Sequence, residues 1–178
     1  MRPSKSRQPT LKPQDLLVAL KVASNPNRYF TYADLARELF VSASEAHAAV
    51  QRAEMSRLVS RSDMGLVAIR SALQEFVVHG VQYAFPAFTG PLTRGMPTGY
   101  AGPALKPQFE HVDGLAPVWP DPEGQTRGTS FYPLYPSVPA ACRMDSALYE
   151  VLTLIDAIRG GAARERELAE QILAERLR

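Results

Sequence analysis

Apolar and polar residues follow three different rhythms along the chain. From Pro13 to about Gly80, short apolar clusters recur at helical spacing between polar breaks. Leu16, Leu17, Leu20 and Val22 in PQDLLVALKVAS predict a helix with Pro13 in its first turn, where a missing N–H costs nothing, and Asn25-Pro26-Asn27 ends it. Tyr29-Phe30 reads as a short strand or a packed turn. Thr31 then caps a helix through Leu39 that turns Leu35, Ala36 and Leu39 inward. Ser42 starts the next helix, and Glu45 stands three residues on, at the spacing of a capping box. After Leu58-Val59, Asp63-Met64-Gly65 marks a turn between two short strands, the second carrying Leu66, Val67 and Ile69. Ser71 caps a further helix over Ala72 to His79.

The rhythm breaks over 81–142. Eleven of the fifteen prolines and most of the glycines fall between Gly80 and Pro139, so no helix is predicted to run far there. The stretches VQYAFPAF, APVWP and SFYPLYPSVP are too rich in aromatic residues for a disordered linker, so the segment is expected to be ordered but irregular. Helical periodicity returns over 144–178. Asp145 or Ser146 caps a helix with Leu148, Val151, Leu152, Ile155 and Ile158 on one face. Gly160-Gly161 interrupts it, and Leu168, Ile172, Leu173 and Leu177 line a second helix. This pair suits a dimer or partner contact, or packing on its own domain.

Charge sharpens the picture. The net charge is +2, but residues 1–62 hold ten Lys/Arg against five Asp/Glu, while 63–142 hold four against six and 143–178 six against seven. The basic excess therefore coincides with the helix-corner-helix, as a nucleic-acid interface requires. No apolar run approaches the roughly 18 residues of a membrane helix. The basic N-terminus has no apolar stretch behind it, which predicts a cytoplasmic protein without membrane contact.

The order helix, helix, corner, helix, β-hairpin is that of a winged helix-turn-helix. The stretch ELFVSASEAHAAVQRAEMSRLV resembles the corner and recognition helix of MarR-like bacterial regulators, with Leu39, Val41, Ser42, Ala46, Val50, Leu58 and Val59 at the matching apolar and cap positions. The resemblance covers about 10–80. It implies a mainly α fold with a small β-wing, followed by the irregular middle segment and the C-terminal helical pair. It also implies a transcriptional regulator that binds double-stranded DNA, as a homodimer. On this reading Ser42, Ser44, His47 and Gln51 face base edges, while Arg52, Arg57, Arg61 and the wing's Arg70 contact phosphates. The arm with Arg2, Lys5, Arg7 and Lys12 adds further cations. Ala48 departs from the pattern, since such helices often place Arg or Lys there. Glu45 adds a negative charge near the helix start.

Other chemistry is sparse. His47, His79 and His111 lie at no metal-ligand spacing, and no nucleophile, zinc-protease or phosphate-loop motif occurs, so neither an enzyme nor a cofactor is expected. Cys142 precedes Arg143, which leaves a redox-sensing thiol open beside plain packing. Thr-Arg-Gly occurs twice, at 93–95 and 126–128, and Arg94 and Arg127 are candidates for an anion or an acidic partner. Trp119 is an anchor for the core or for a partner's pocket. An antitoxin has the same plan, with a DNA-binding head and a segment that wraps a protein partner. The alternative from another class is a winged helix that contacts protein in a larger assembly and binds no DNA.

Overall fold

The computed structural model describes residues 9–109 and 114–178, and shows a mainly helical chain with two small sheets. The arm residues Arg2, Lys5 and Arg7, and His111, lie outside the described residues.

Helix α1 (Pro13–Ser24) is buried on every side from Asp15 to Ala23. Its run LLVAL leaves no polar face, so it was not the one-sided stripe expected. The charges that remain are paired across helices. The Lys21 ammonium, 3 % exposed, lies 2.9 Å from Glu38 of α2 (Tyr32–Leu39) and 2.5 Å from Asp145, the residue that caps α7 (Ser146–Gly160). Asp15, fully buried, faces Arg52 of α3 (Ala43–Met55). These ion pairs fix α1 against three other helices, because a buried charge left alone would cost several kcal/mol, roughly 3–5.

Thr31 and Ser42 cap α2 and α3, each in a capping box with the acidic residue three positions on. A hairpin of β1 (Val59–Ser62) and β2 (Gly65–Ala68) follows, with Ser62 opposite Gly65. Tyr29-Phe30 is neither strand nor turn: the pair lies in the irregular link from α1 to α2, with Phe30 buried and Tyr29 exposed. Next come α4 (Arg70–His79), which starts one residue before Ser71 with Ile69 at its cap, and the short α5 (Val81–Ala84).

The segment expected to be irregular instead folds into a closed three-stranded sheet of β3 (Thr89–Pro97), β4 (Pro117–Pro120) and β5 (Thr126–Phe131). β3 runs antiparallel to both other strands, which are therefore parallel to each other. Closure is tight enough that a side chain on Gly95 would overlap the Trp119 carbonyl, and one on Gly128 the Ala116 carbonyl. Glycines on the inner face leave no alternation of large apolar residues, the signal by which strands are recognised. β4 sends Val118 inward and Trp119 outward, and both are buried.

Three helices complete the chain: α6 (Val138–Met144), α7 and α8 (Ala163–Arg176). Pro139 sits in the first turn of α6, where proline is tolerated. Helix α7 is buried from Val151 through Arg159 and packs on α1, α5, α6 and α8. It is thus a central core helix. Its buried Asp156 accepts hydrogen bonds from Trp119 Nε1 (2.5 Å), Thr98 Oγ1 (2.8 Å) and Arg159 Nη1 (2.7 Å), which join the small sheet to the helices. Among the described residues one apolar cluster joins the helices, the hairpin and the three-stranded sheet. No helix among the described residues is long and apolar enough to cross a membrane.

Candidate nucleic-acid interface

The buried face of α3 consists of Ala46, Ala49, Val50 and Ala53. The opposite face carries Ser44, His47, Gln51 and Met55, all exposed, with the half-buried Ala48 among them. These positions recur at helical spacing, so they form one stripe along the helix. The small residues Ala43 and Ala48 keep the stripe low and polar at its N-terminal end.

Both ends of α3 are bounded by residues in the left-handed region. Phe40 (φ 54°) lies in the corner before it, and Arg57 (φ 58°) follows it; among the described residues these are the two non-glycine residues of this kind. Arg57 stands where a helix stop usually places glycine. Its N–H donates to the Glu54 carbonyl (3.0 Å), and the Leu58 N–H donates to the Ala53 carbonyl (2.9 Å). A side chain in this conformation costs about 1 kcal/mol relative to glycine. Arg57 is exposed and forms no ion pair among the described residues, while Phe40 remains half exposed.

The other candidate cations are engaged by partners within the chain. Arg52 clamps Asp15 with Nε at 3.0 and 2.9 Å and Nη2 at 2.7 Å, so its expected phosphate contact gives way to a structural ion pair. Arg61 donates to Glu54 Oε1 (2.6 Å) and to the Tyr32 hydroxyl, pinning the hairpin to α3 and α2. Arg70 is not on the wing. It opens α4 and donates to the carbonyls of Ala23, Arg176 and Arg178. Arg28 and Arg37 are paired with Glu38 and Asp34. Ser42 is consumed by capping: its hydroxyl accepts from the Glu45 N–H and donates to the Glu45 carboxylate. The Ser42 backbone N–H and hydroxyl, with the Tyr135 hydroxyl, hold the Glu45 carboxyl below its ordinary range, so it stays negative. His47 is exposed and packs on Tyr32 in a tilted arrangement, ring centres 4.9 Å apart and planes at 55°. A pocket of about 320 Å³ opens between α2, α3 and the hairpin, walled by Phe30, Tyr32, Leu35, Val50 and Leu66.

Of the partner candidates, Trp119 is 1 % exposed and bonded to Asp156, so it anchors the core and reaches no partner. Arg94 and Arg127 are exposed. Cys142 is buried, and desolvation pushes its thiol well above the ordinary value, which disfavours the reactive thiolate. Among the described residues no cluster of three His, Cys, Asp or Glu could hold a metal ion. No protein-family model matches the chain, and no curated protein or solved structure matches it.

Proposed function

We propose that the chain is a DNA-binding transcriptional regulator acting as a dimer, with α3 lying in the major groove and the β1–β2 hairpin as its wing. The observation that carries this reading is the pair of left-handed residues bracketing α3. Backbone strain of this kind concentrates where a surface has a task. Here it presents a guanidinium that nothing in the described protein neutralises, at the end of an exposed polar helix face. Ser44, His47 and Gln51 supply donors and acceptors for base edges, and Gln51 suits adenine. Arg57 supplies the phosphate contact. The antitoxin plan is a variant of this reading, with the partner on another surface.

Arg57→Gly tests it. Glycine relieves the left-handed strain, so the variant is expected to be more stable by about 0.5–1 kcal/mol. It should also bind every DNA sequence more weakly, with a salt slope lower by about one. Gln51→Ala should narrow the gap between cognate and random sequence. Unchanged affinity in both variants would remove α3 from the interface.

A second reading is favoured by the internal pairing of Arg28, Arg37, Arg52 and Arg61. It leaves the α3 side with few free cations, next to exposed Phe40, Met55 and Met64. Under that reading the same face contacts a protein, and Phe40→Ser disrupts the complex while DNA has no effect.

A further inference from the structure

The two Thr-Arg-Gly triplets lie against each other. In the antiparallel pairing of β3 and β5, Thr93 faces Gly128, Arg94 faces Arg127 and Gly95 faces Thr126. Each triplet thus meets the other in reverse. Residues directly opposed across an antiparallel pair leave the sheet on the same side, with Cβ atoms about 5 Å apart. Gly95 and Gly128 lie on the inner side, where the β4 backbone crosses too closely for any side chain. Strand alternation therefore places both arginines on the outer side.

Arg94 and Arg127 are exposed, and neither forms an ion pair among the described residues. Like charges directly opposed in a sheet are destabilising. The fold thus sets two arginines directly opposite each other, with no ion pair among the described residues to offset their repulsion. Leu92, two residues before Arg94 on the same side, is 52 % exposed.

We propose that this sheet face docks an acidic protein segment, its carboxylates gripped by Arg94 and Arg127 and an apolar side chain set on Leu92. A guanidinium pair matches carboxylates through parallel hydrogen bonds. Arginine beside an exposed aliphatic group suits a protein contact, since arginine is enriched at such interfaces. A nucleic-acid surface would need a wider basic field. Here residues 63–142 carry four cations against six anions, and the loop from β4 to β5 holds Asp121 and Glu123. The face is also separate from the DNA reading: α3 packs on α1, α1 on α7, and α7 on the strands through Asp156 and Gly160.

The test uses the full chain and a fluorescein-labelled peptide of alternating Glu and Leu, followed by anisotropy. A Gln/Leu peptide and a labelled DNA duplex serve as comparisons. The double substitution Arg94→Ala, Arg127→Ala is expected to weaken the Glu/Leu peptide at least ten-fold, leave DNA affinity unchanged, and keep or raise Tm. The Gln/Leu peptide should bind at least ten-fold more weakly to the native protein. Lysine at both positions should recover only a minor part, because an ammonium lacks the planar fork. Equal peptide affinity in native and double-Ala protein, no saturable peptide binding to the native protein, or a loss confined to DNA would overturn the proposal. So would a lower Tm in the double-Ala variant, which would show that the arginines serve internal contacts. Failure of DNA binding alone leaves these outcomes intact, so the two readings fail separately.

Discussion

Replacing Arg52 by alanine separates structure from recognition most sharply. Asp15 is fully buried and accepts from two Arg52 groups, Nε–H shared between both its oxygens and Nη2–H on Oδ1. Without them the carboxylate keeps the Lys12 backbone N–H at 2.8 Å. A buried charge that loses its partner costs about 3–5 kcal/mol. For a chain of this length each kcal/mol shifts Tm by roughly 2–4 °C, so Arg52→Ala should lower Tm by about 10 °C. The emission of Trp119, the one tryptophan, reports unfolding because the ring is buried. Urea titration should show a lower midpoint with an unchanged slope. The double variant Asp15→Leu, Arg52→Leu should recover most of the loss, since an apolar pair replaces both charges. A loss under about 1 kcal/mol, which is the range of an exposed pair, would refute the reasoning. A stable Arg52→Ala protein with weaker binding to all DNA would return Arg52 to the phosphate contacts.

The Glu38 carboxyl is lowered to about 2, first by its hydrogen bonds from Arg28 and then by the Lys21 ammonium, against the opposing effect of burial. A depressed folded value means its stabilisation is present above its ordinary range near 4.5 and is lost as pH falls toward 2. Glu38→Gln should therefore flatten the acid limb of a stability-versus-pH curve between about 4.5 and 2. Trp119→Phe removes one of three donors to buried Asp156 and should cost about 1–3 kcal/mol in urea titration followed by circular dichroism. Gly95→Ala places a methyl group against the Trp119 carbonyl and should open the three-stranded sheet, seen as a red shift of Trp119 emission at neutral pH without denaturant.

Local chemistry was legible in the sequence, and long-range pairing was not. Thr31, Ser42, Asp145 and Pro13 hold the positions expected of them, because a cap depends on residues three or four apart. The turn at Asp63-Met64 was equally local. Arg52, Arg61 and Arg70 look alike in sequence, and only the fold shows that they meet Asp15, Glu54 and distant carbonyls. The burial of α7 did leave a trace: Thr153, Asp156 and Arg159 interrupt an otherwise apolar run at three-residue spacing, too few to form a solvated face. The left-handed Phe40 and Arg57 had no sequence mark, since glycine is the residue that normally announces that conformation. The twin triplets were visible as words, but their cross-strand pairing depends on the closure of β3 and β5 around β4.

The most direct test of the DNA reading is binding of the purified full chain to a labelled duplex from upstream of its own gene, at two salt concentrations and against excess unrelated DNA. Saturable binding that survives the competitor, weakens with salt, and loses about one unit of salt slope in Arg57→Gly is the expected result. Binding that the competitor removes, or that Arg57→Gly leaves unchanged, would contradict it and favour a protein partner on the face of Phe40, Gln51 and Met55.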